Sequence, residues 1–147
     1  NIYLYGTGVL MTKREGRISA FEMLFESDFR KDEAPQEIYD KAIDIREAKT
    51  NNFSRELFEK CTSHVDEIDK AVEECADNWK LSRMNCVTRA VLRMAACELL
   101  YSDVPPRVAI NEAVEISKLY NDERGTSFVN GVLNRLARNI GRITDDE

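Results

Sequence analysis

From Thr12 to Leu136 the apolar residues recur every three or four positions in one segment after another, and beyond Met11 no stretch alternates apolar with polar as a half-buried strand would. A chain patterned this way can bury its apolar stripes only by laying helices against one another. Ile18, Phe21, Leu24 and Phe25 make one stripe over Thr12 to Ser27. A second helix begins near Pro35, a good first-turn residue, and buries Ile38, Ala42 and Ile45. The third takes Ser54 as its N-cap and runs unbroken through Leu57, Phe58, Cys61, Val65, Ile68, Val72 and Cys75, the longest element. After a break around Trp79 to Asn85, a fourth region places Val87, Val91, Met94 and Ala95 on one face and stops at Asp103, before Pro105 and Pro106. The last two helices bury Ile110, Ala113 and Val114, then Phe128, Val129, Val132, Leu133 and Leu136. The expectation is an all-α fold, a compact bundle of six or seven helices with short loops. The acidic, polar stretch from Asp28 to Asn52 would separate an N-terminal from a C-terminal subbundle.

Residues 11–142 are expected to form a single helical domain and residues 143–147 an acidic tail. Asn1 to Leu10 lack a helical period and precede Met11-Thr12-Lys13-Arg14, which looks like a natural start, so residues 1–10 are read as a leader. They lack the basic segment and long apolar core of a secretory signal. No apolar run approaches the length of a membrane span, 43% hydrophobic and 33% charged residues favour a folded, helix-rich soluble protein, and without an export signal the expected location is the cytoplasm.

Cys61, Cys75, Cys86 and Cys97 are 14, 11 and 11 residues apart, with no CxxC pair, and each falls within a helical apolar pattern. They read as small reduced core residues rather than metal ligands. His64 has no second histidine and no cysteine at ligand spacing, so neither a metal site nor a nucleophile–base pair is expected, and no cofactor. Glu98 lies on the apolar stripe of its helix, and a buried acid can be catalytic. A general acid or base needs a second group, however, and helical spacing around Glu98 supplies none, which leaves a carboxylate satisfied by an arginine or a helix N-terminus. The chain is read as a non-enzyme.

The net charge of −6 is unevenly spread. Met11 to Lys31 has five basic and four acidic residues, Asp32 to Asn78 six and fourteen, and Trp79 to Arg142 ten and six, while the last five residues add three acids. The segment totals are therefore +1, −8, +4 and −3. The acidic middle will not face phosphate, whereas the two flanking segments can together form a basic face.

Three places depart from simple patterning. Lys13, Arg14 and Arg17 crowd the start of the first helix, where the helix dipole disfavours cations. With the N–H groups of that turn they suit an anion, and the alternative is a solvated charged face partly compensated by Glu15. Asn111 and Glu112 occupy the first turns of another helix, where they would fix the entering loop. Asn130-Gly131 signals a turn in isolation but lies inside a helical period, so the glycine would admit close approach of another helix or of a ligand backbone.

Four blocks carry a family resemblance. Lys13-Arg14-x-x-Arg17-x-x-Ala20-Phe21-x-x-Leu24-Phe25 is followed by Phe53-Ser54-Arg55-Glu56-Leu57, then by Arg89 to Leu100 with Asp103-Val104-Pro105, and last by the pair "VAINEAVE" and "FVNGVL" within Val104 to Ala137. In this order they resemble the NusB family of transcription antitermination factors. The resemblance implies a helical adaptor without enzymatic role that pairs with ribosomal protein NusE and, as a heterodimer, binds the single-stranded boxA element of nascent ribosomal RNA, helping the transcribing RNA polymerase complex resist termination. Lys13, Arg14 and Arg17 would then hold phosphates, Phe25 would stack a base or else join the core, and Arg89 and Arg124 would close the RNA surface. Glu15 and Gly16 interrupt the basic run, and Arg124 stands where family members can carry an acid. An apolar patch that receives NusE could equally pair with itself in a homodimer. The competing reading is a protein-interaction module without RNA contacts, like the related helical domain of some ribosomal RNA cytosine methyltransferases.

Overall fold

Thr12 turns the chain from strand into helix. Its hydroxyl accepts a hydrogen bond from the Glu15 N–H, and the Glu15 carboxylate accepts one from the Thr12 N–H, both at 3.0 Å. This reciprocal cap satisfies two otherwise orphaned donors and gives Glu15 a purpose beyond offsetting charge. The computed structural model describes residues 2–4, 10–45 and 50–144, and the chain divides into two compact units that part between Ser63 and His64. The division expected within Asp28 to Asn52 therefore falls later.

In the first unit, β1 (Ile2–Leu4) pairs antiparallel with β2 (Leu10–Thr12), Ile2 opposite Thr12 and Leu4 opposite Leu10. Part of the expected leader is thus a strand; Asn1 and residues 5–9 lie outside the described residues, as does most of the acidic tail. Helix α1 (Lys13–Ser27) buries Ala20, Phe21, Met23 and Leu24. Helix α2 (Pro35–Asp44) begins on its proline and buries Ile38 and Ala42. Ile45, expected in the core, is 73% exposed because it follows the last helical residue and leaves the stripe. Helix α3 (Asn52–Ser63) is capped by Asn51, not by Ser54. The Asn51 side chain accepts from the Ser54 N–H at 2.8 Å, and Ser54 Oγ accepts from the Asn51 N–H at 2.9 Å. Ser54 is the third helical residue of a reciprocal cap, buried against α1.

The second unit opens where one long helix was expected. His64 leaves helical geometry at φ −119° and ψ 23°, and helix α4 (Val65–Glu74) begins after it. The hydroxyls of Thr62 and Ser63 bond back to the carbonyls of Glu59 and Lys60, competing for the acceptors of the last turn of α3. The His64 ring lies 4.3 Å from that of Tyr101. Helix α5 (Cys86–Tyr101) packs against α4, α6 (Pro106–Tyr120) and α7 (Glu123–Asn139), and it buries Val91, Leu92, Met94, Cys97 and Leu99. Each large apolar side chain removed from water there contributes about 1.5–3 kcal/mol. Arg93 on α5 forms a two-pronged ion pair with Asp69 on α4, at 2.8 and 2.9 Å. The guanidinium of Arg142 donates to the carbonyls of Leu99 and Val104, closing the C-terminal end of α5. Glu98 is 2% exposed, as its stripe position predicted. The described residues hold seven α-helices, as the apolar period implied. None of the described helices is long and apolar enough to cross a membrane.

Asn111 does not fix the loop into α6. It is exposed, and that helix start has no side-chain cap; Pro105 and Pro106 set the entry instead.

Candidate nucleic-acid interface

The N-terminal cations fall into two environments. Lys13 is half-buried and Arg14 exposed, at the first two positions of α1. Arg17 is 2% exposed, and its guanidinium carbon lies 5.1 Å from the centroid of the Phe53 ring in a cation–π contact. The alternative of a solvated charged face therefore fails for Arg17. A side chain on Gly16 would meet Phe53 at 3.0 Å and Asn51 at 3.3 Å, so the glycine that interrupts the basic run is what lets the start of α3 settle against α1. Phe25 is half-buried, its ring 5.2 Å from Phe29 and 6.3 Å from Phe21. The open end of this aromatic row is Phe29, a residue that the sequence reading passed over.

The second unit carries a groove. It is open, holds about 330 Å³, and is lined by Trp79, Arg83, Met84, Asn85, Thr88, Asp122, Arg124, Gly125 and Phe128. Two helix starts contribute to this lining. Asn85 caps α5 by accepting from the Thr88 N–H, and Asp122 caps α7 by accepting from the Gly125 N–H, both at 2.8 Å. Asn121 ties them together, donating to Thr88 Oγ1 at 3.0 Å and accepting from Asn85 Nδ2 at 3.4 Å. Gly125 is required there, because a Cβ would lie 2.7–2.8 Å from the Asn121 side chain. The positive ends of two helices and the guanidinium groups of Arg83 and Arg124 face the groove, against the single carboxylate of Asp122.

Trp79 is carried by a turn that hydrogen bonds from α7 anchor. Asp77 and Asn78 adopt left-handed backbone (φ 49° and 70°), a conformation that short polar residues tolerate. Arg135 donates to the Cys75 carbonyl and the Asp77 carboxylate, and Asn139 to Cys75 Sγ. The indole is left 52% exposed.

Arg89 and Arg124, both expected in the RNA surface, differ in what they do. Arg124 is exposed on the groove wall. Arg89 is half-buried and donates to the carbonyls of Leu81 and Met84 and to Cys86 Sγ, holding the short 3-10 turn (Leu81–Arg83) that presents Arg83. Trp79, Arg83 and Phe128 were missed as site residues. Phe128 sits in an apolar period that reads as core, and Trp79 and Arg83 lie in what reads only as a helix break.

Burial pushes the Cys75 thiol up against the lowering influence of its Asn139 hydrogen bond, and burial with the nearby Glu67 carboxylate raises Tyr101, but neither residue lines the groove. The thiols of Cys61, Cys75 and Cys97 are buried and that of Cys86 is half-buried.

A family model described as the NusB family matches residues 14–138. The chain is 39% identical over 131 residues to the transcription antitermination protein NusB of Bacillus subtilis, covering 88% of this chain and 98% of that one. It is also 39% identical over 133 residues to NusB of Myxococcus xanthus, covering 88% and 95%. Among solved structures it resembles T. maritima NusB, with a TM-score of 0.78 and 33% identity over 87% of this chain and 92% of that one. It also resembles a NusB crystallised with NusE and double-stranded RNA, with a TM-score of 0.75 and 29% identity over 86% of this chain and 96% of that one.

Proposed function

The chain belongs to the NusB family, and we propose that it is an RNA-binding adaptor of transcription antitermination, one that pairs with ribosomal protein NusE and holds a boxA-type single-stranded segment of nascent ribosomal RNA for the transcribing RNA polymerase complex. This is a binding role without chemistry, exercised in the cytoplasm. The observation that carries it is the groove of the second unit, where exposed Trp79 and half-buried Phe128 stand beside Arg83 and Arg124. Flat rings accept the face of any unpaired base, and guanidinium groups hold the phosphates on either side. A duplex hides its base faces in the stack, so the rings favour unpaired RNA.

Within this reading Lys13, Arg14 and Arg124 contact phosphate directly. Arg17 and Arg89 act through what they hold, the Phe53 ring and the turn that bears Arg83. Phe25 supports Phe29, whose exposed ring is the better stacking surface of that pair.

The test is the salt dependence of RNA binding by the NusE complex. Each phosphate contact contributes a slope of about −0.7 in log K against log salt for a single strand. Replacing Lys13, Arg14 and Arg124 with alanine should flatten that slope while the protein stays folded. An unchanged slope and affinity would leave an interaction module without RNA contacts.

A further inference from the structure

Gly131 has no intramolecular reason to be a glycine. It lies near the middle of α7, is exposed, and a Cβ built on it would find no atom within 4 Å. The close approach of another helix that its position suggested is absent among the described residues. Glycine is among the poorest helix formers, so its presence on an open face weakens α7 with no packing gain inside the chain.

The surroundings of this bare spot are cationic. Arg124, Gly131 and Arg138 follow one another at seven-residue steps, which places them along one stripe with about 10 Å between neighbours. Arg124 and Arg138 are both exposed, while Arg135, one turn beyond Gly131 on the same side, is engaged with the Cys75 carbonyl and the Asp77 carboxylate. The only carboxylate of α7 is Glu123, in its first turn. On one flank Asn134 donates to the carbonyl and side chain of Asn130, so both amides lie along the helix rather than over Gly131. Arg124 belongs both to this stripe and to the groove wall.

We propose that the outward stripe of α7 from Arg124 through Gly131 to Arg138 is a track for the sugar–phosphate backbone of a single-stranded RNA, continuing the groove, with the missing side chain letting the strand lie directly on the helix. This rests on the RNA-binding reading above. Charge selects the occupant: an anionic polymer matches the exposed Arg124 and Arg138 at the two ends of the stripe, and a basic protein does not.

The test uses the full chain with NusE, a short labelled single-stranded RNA carrying a boxA-like sequence, and Gly131→Ala, Gly131→Gln and Arg138→Ala variants. Gly131→Ala should raise the melting temperature by roughly 2–4 °C, because alanine is the better helix former and meets nothing. It should nevertheless weaken RNA binding several-fold, with Gly131→Gln weakening it about tenfold or more. Arg138→Ala should flatten the salt slope by about 0.7. If the parent complex binds the RNA and the Gly131 variants bind it equally well, the track is wrong and the groove reading stands. If the parent complex does not bind RNA, both fall. Loss of co-elution with NusE in Gly131→Gln, with RNA binding retained, would make this face a protein interface and overturn the track.

Discussion

The guanidinium of Arg17 rests 5.1 Å over the ring of Phe53, thirty-six positions along the chain, and so joins the start of α1 to the start of α3. The contact separates three cations that look alike in sequence. Arg14 is exposed and Lys13 half-buried, while Arg17 is buried.

Arg17→Ala should therefore destabilise the protein by about 1–3 kcal/mol, through lost packing as well as the lost cation–π contact. Arg14→Ala should change stability by less than about 0.5 kcal/mol, as exposed substitutions usually do. Urea unfolding distinguishes the two, and equal effects would contradict the division.

Asp69 and Arg93 join α4 to α5 through two short bonds in a half-buried setting. A double-mutant cycle with alanine at both positions should give a coupling of about 1–3 kcal/mol, more than a solvent-exposed pair contributes. The exposed pair Lys118 and Glu115 serves as the comparison and should give well under 1 kcal/mol.

Trp79→Ala should cost RNA binding about 1–3 kcal/mol, the usual worth of one stacked base, with little change in melting temperature because the ring is half exposed. Phe128→Ala should lose similar affinity but also some stability, since that ring is partly inside the bundle. Anisotropy and calorimetry on the two variants read both quantities. An unaltered affinity in both would remove the rings from the site.

Gly125 and Gly131, six residues apart in one helix, should respond oppositely to alanine. At Gly125 the new methyl meets the Asn121 side chain, which is already committed to Thr88 and Ser117, so Gly125→Ala should destabilise by about 1–3 kcal/mol. At Gly131 it meets nothing, and stability should rise by up to about 1 kcal/mol. Thermal melts of the pair check the signs.

Thiol reactivity should single out one cysteine of the four. Cys86 is half-buried and should be modified by an aromatic disulfide reagent in the native protein, while Cys61, Cys75 and Cys97 wait for unfolding. Burial raises the Cys75 thiol, so less of the reactive thiolate forms there at a given pH, and its lag should persist into mildly alkaline buffer.

Local rules made much of the bundle legible. The apolar period marked the helical segments, Pro35 opened α2 as expected, and the helical reading of Asn130-Gly131 prevailed over its turn-like dipeptide, while Pro106, read only as part of a stop, also opens α6. The break at His64 was not legible, because hydrophobic spacing runs straight through it and only the back-bonding hydroxyls of Thr62 and Ser63 interrupt the helix. The core expectation for Ile45 failed for a related reason: an apolar residue just past the last turn has no stripe to join. Site residues were hardest. Arg17 and Arg89 read as available cations, but their fate depends on the ring and carbonyls that distant or curved backbone brings to them. Trp79 and Arg83 sat in a segment without period, where pattern says nothing about which side chains stand out.

The anchoring of the Cys75–Trp79 turn by Arg135 and Asn139 bears on the kinetics of capture. Under the proposed function, a base arriving at Trp79 would meet a ring whose loop is already held by these bonds, so less conformational freedom would be lost on contact. Loosening the anchor, as in Arg135→Ala, leaves the indole in place chemically but makes each encounter order the loop anew. Three bonds behind the tryptophan, to one carbonyl, one carboxylate and one thiol, would thus be felt in how readily RNA is captured.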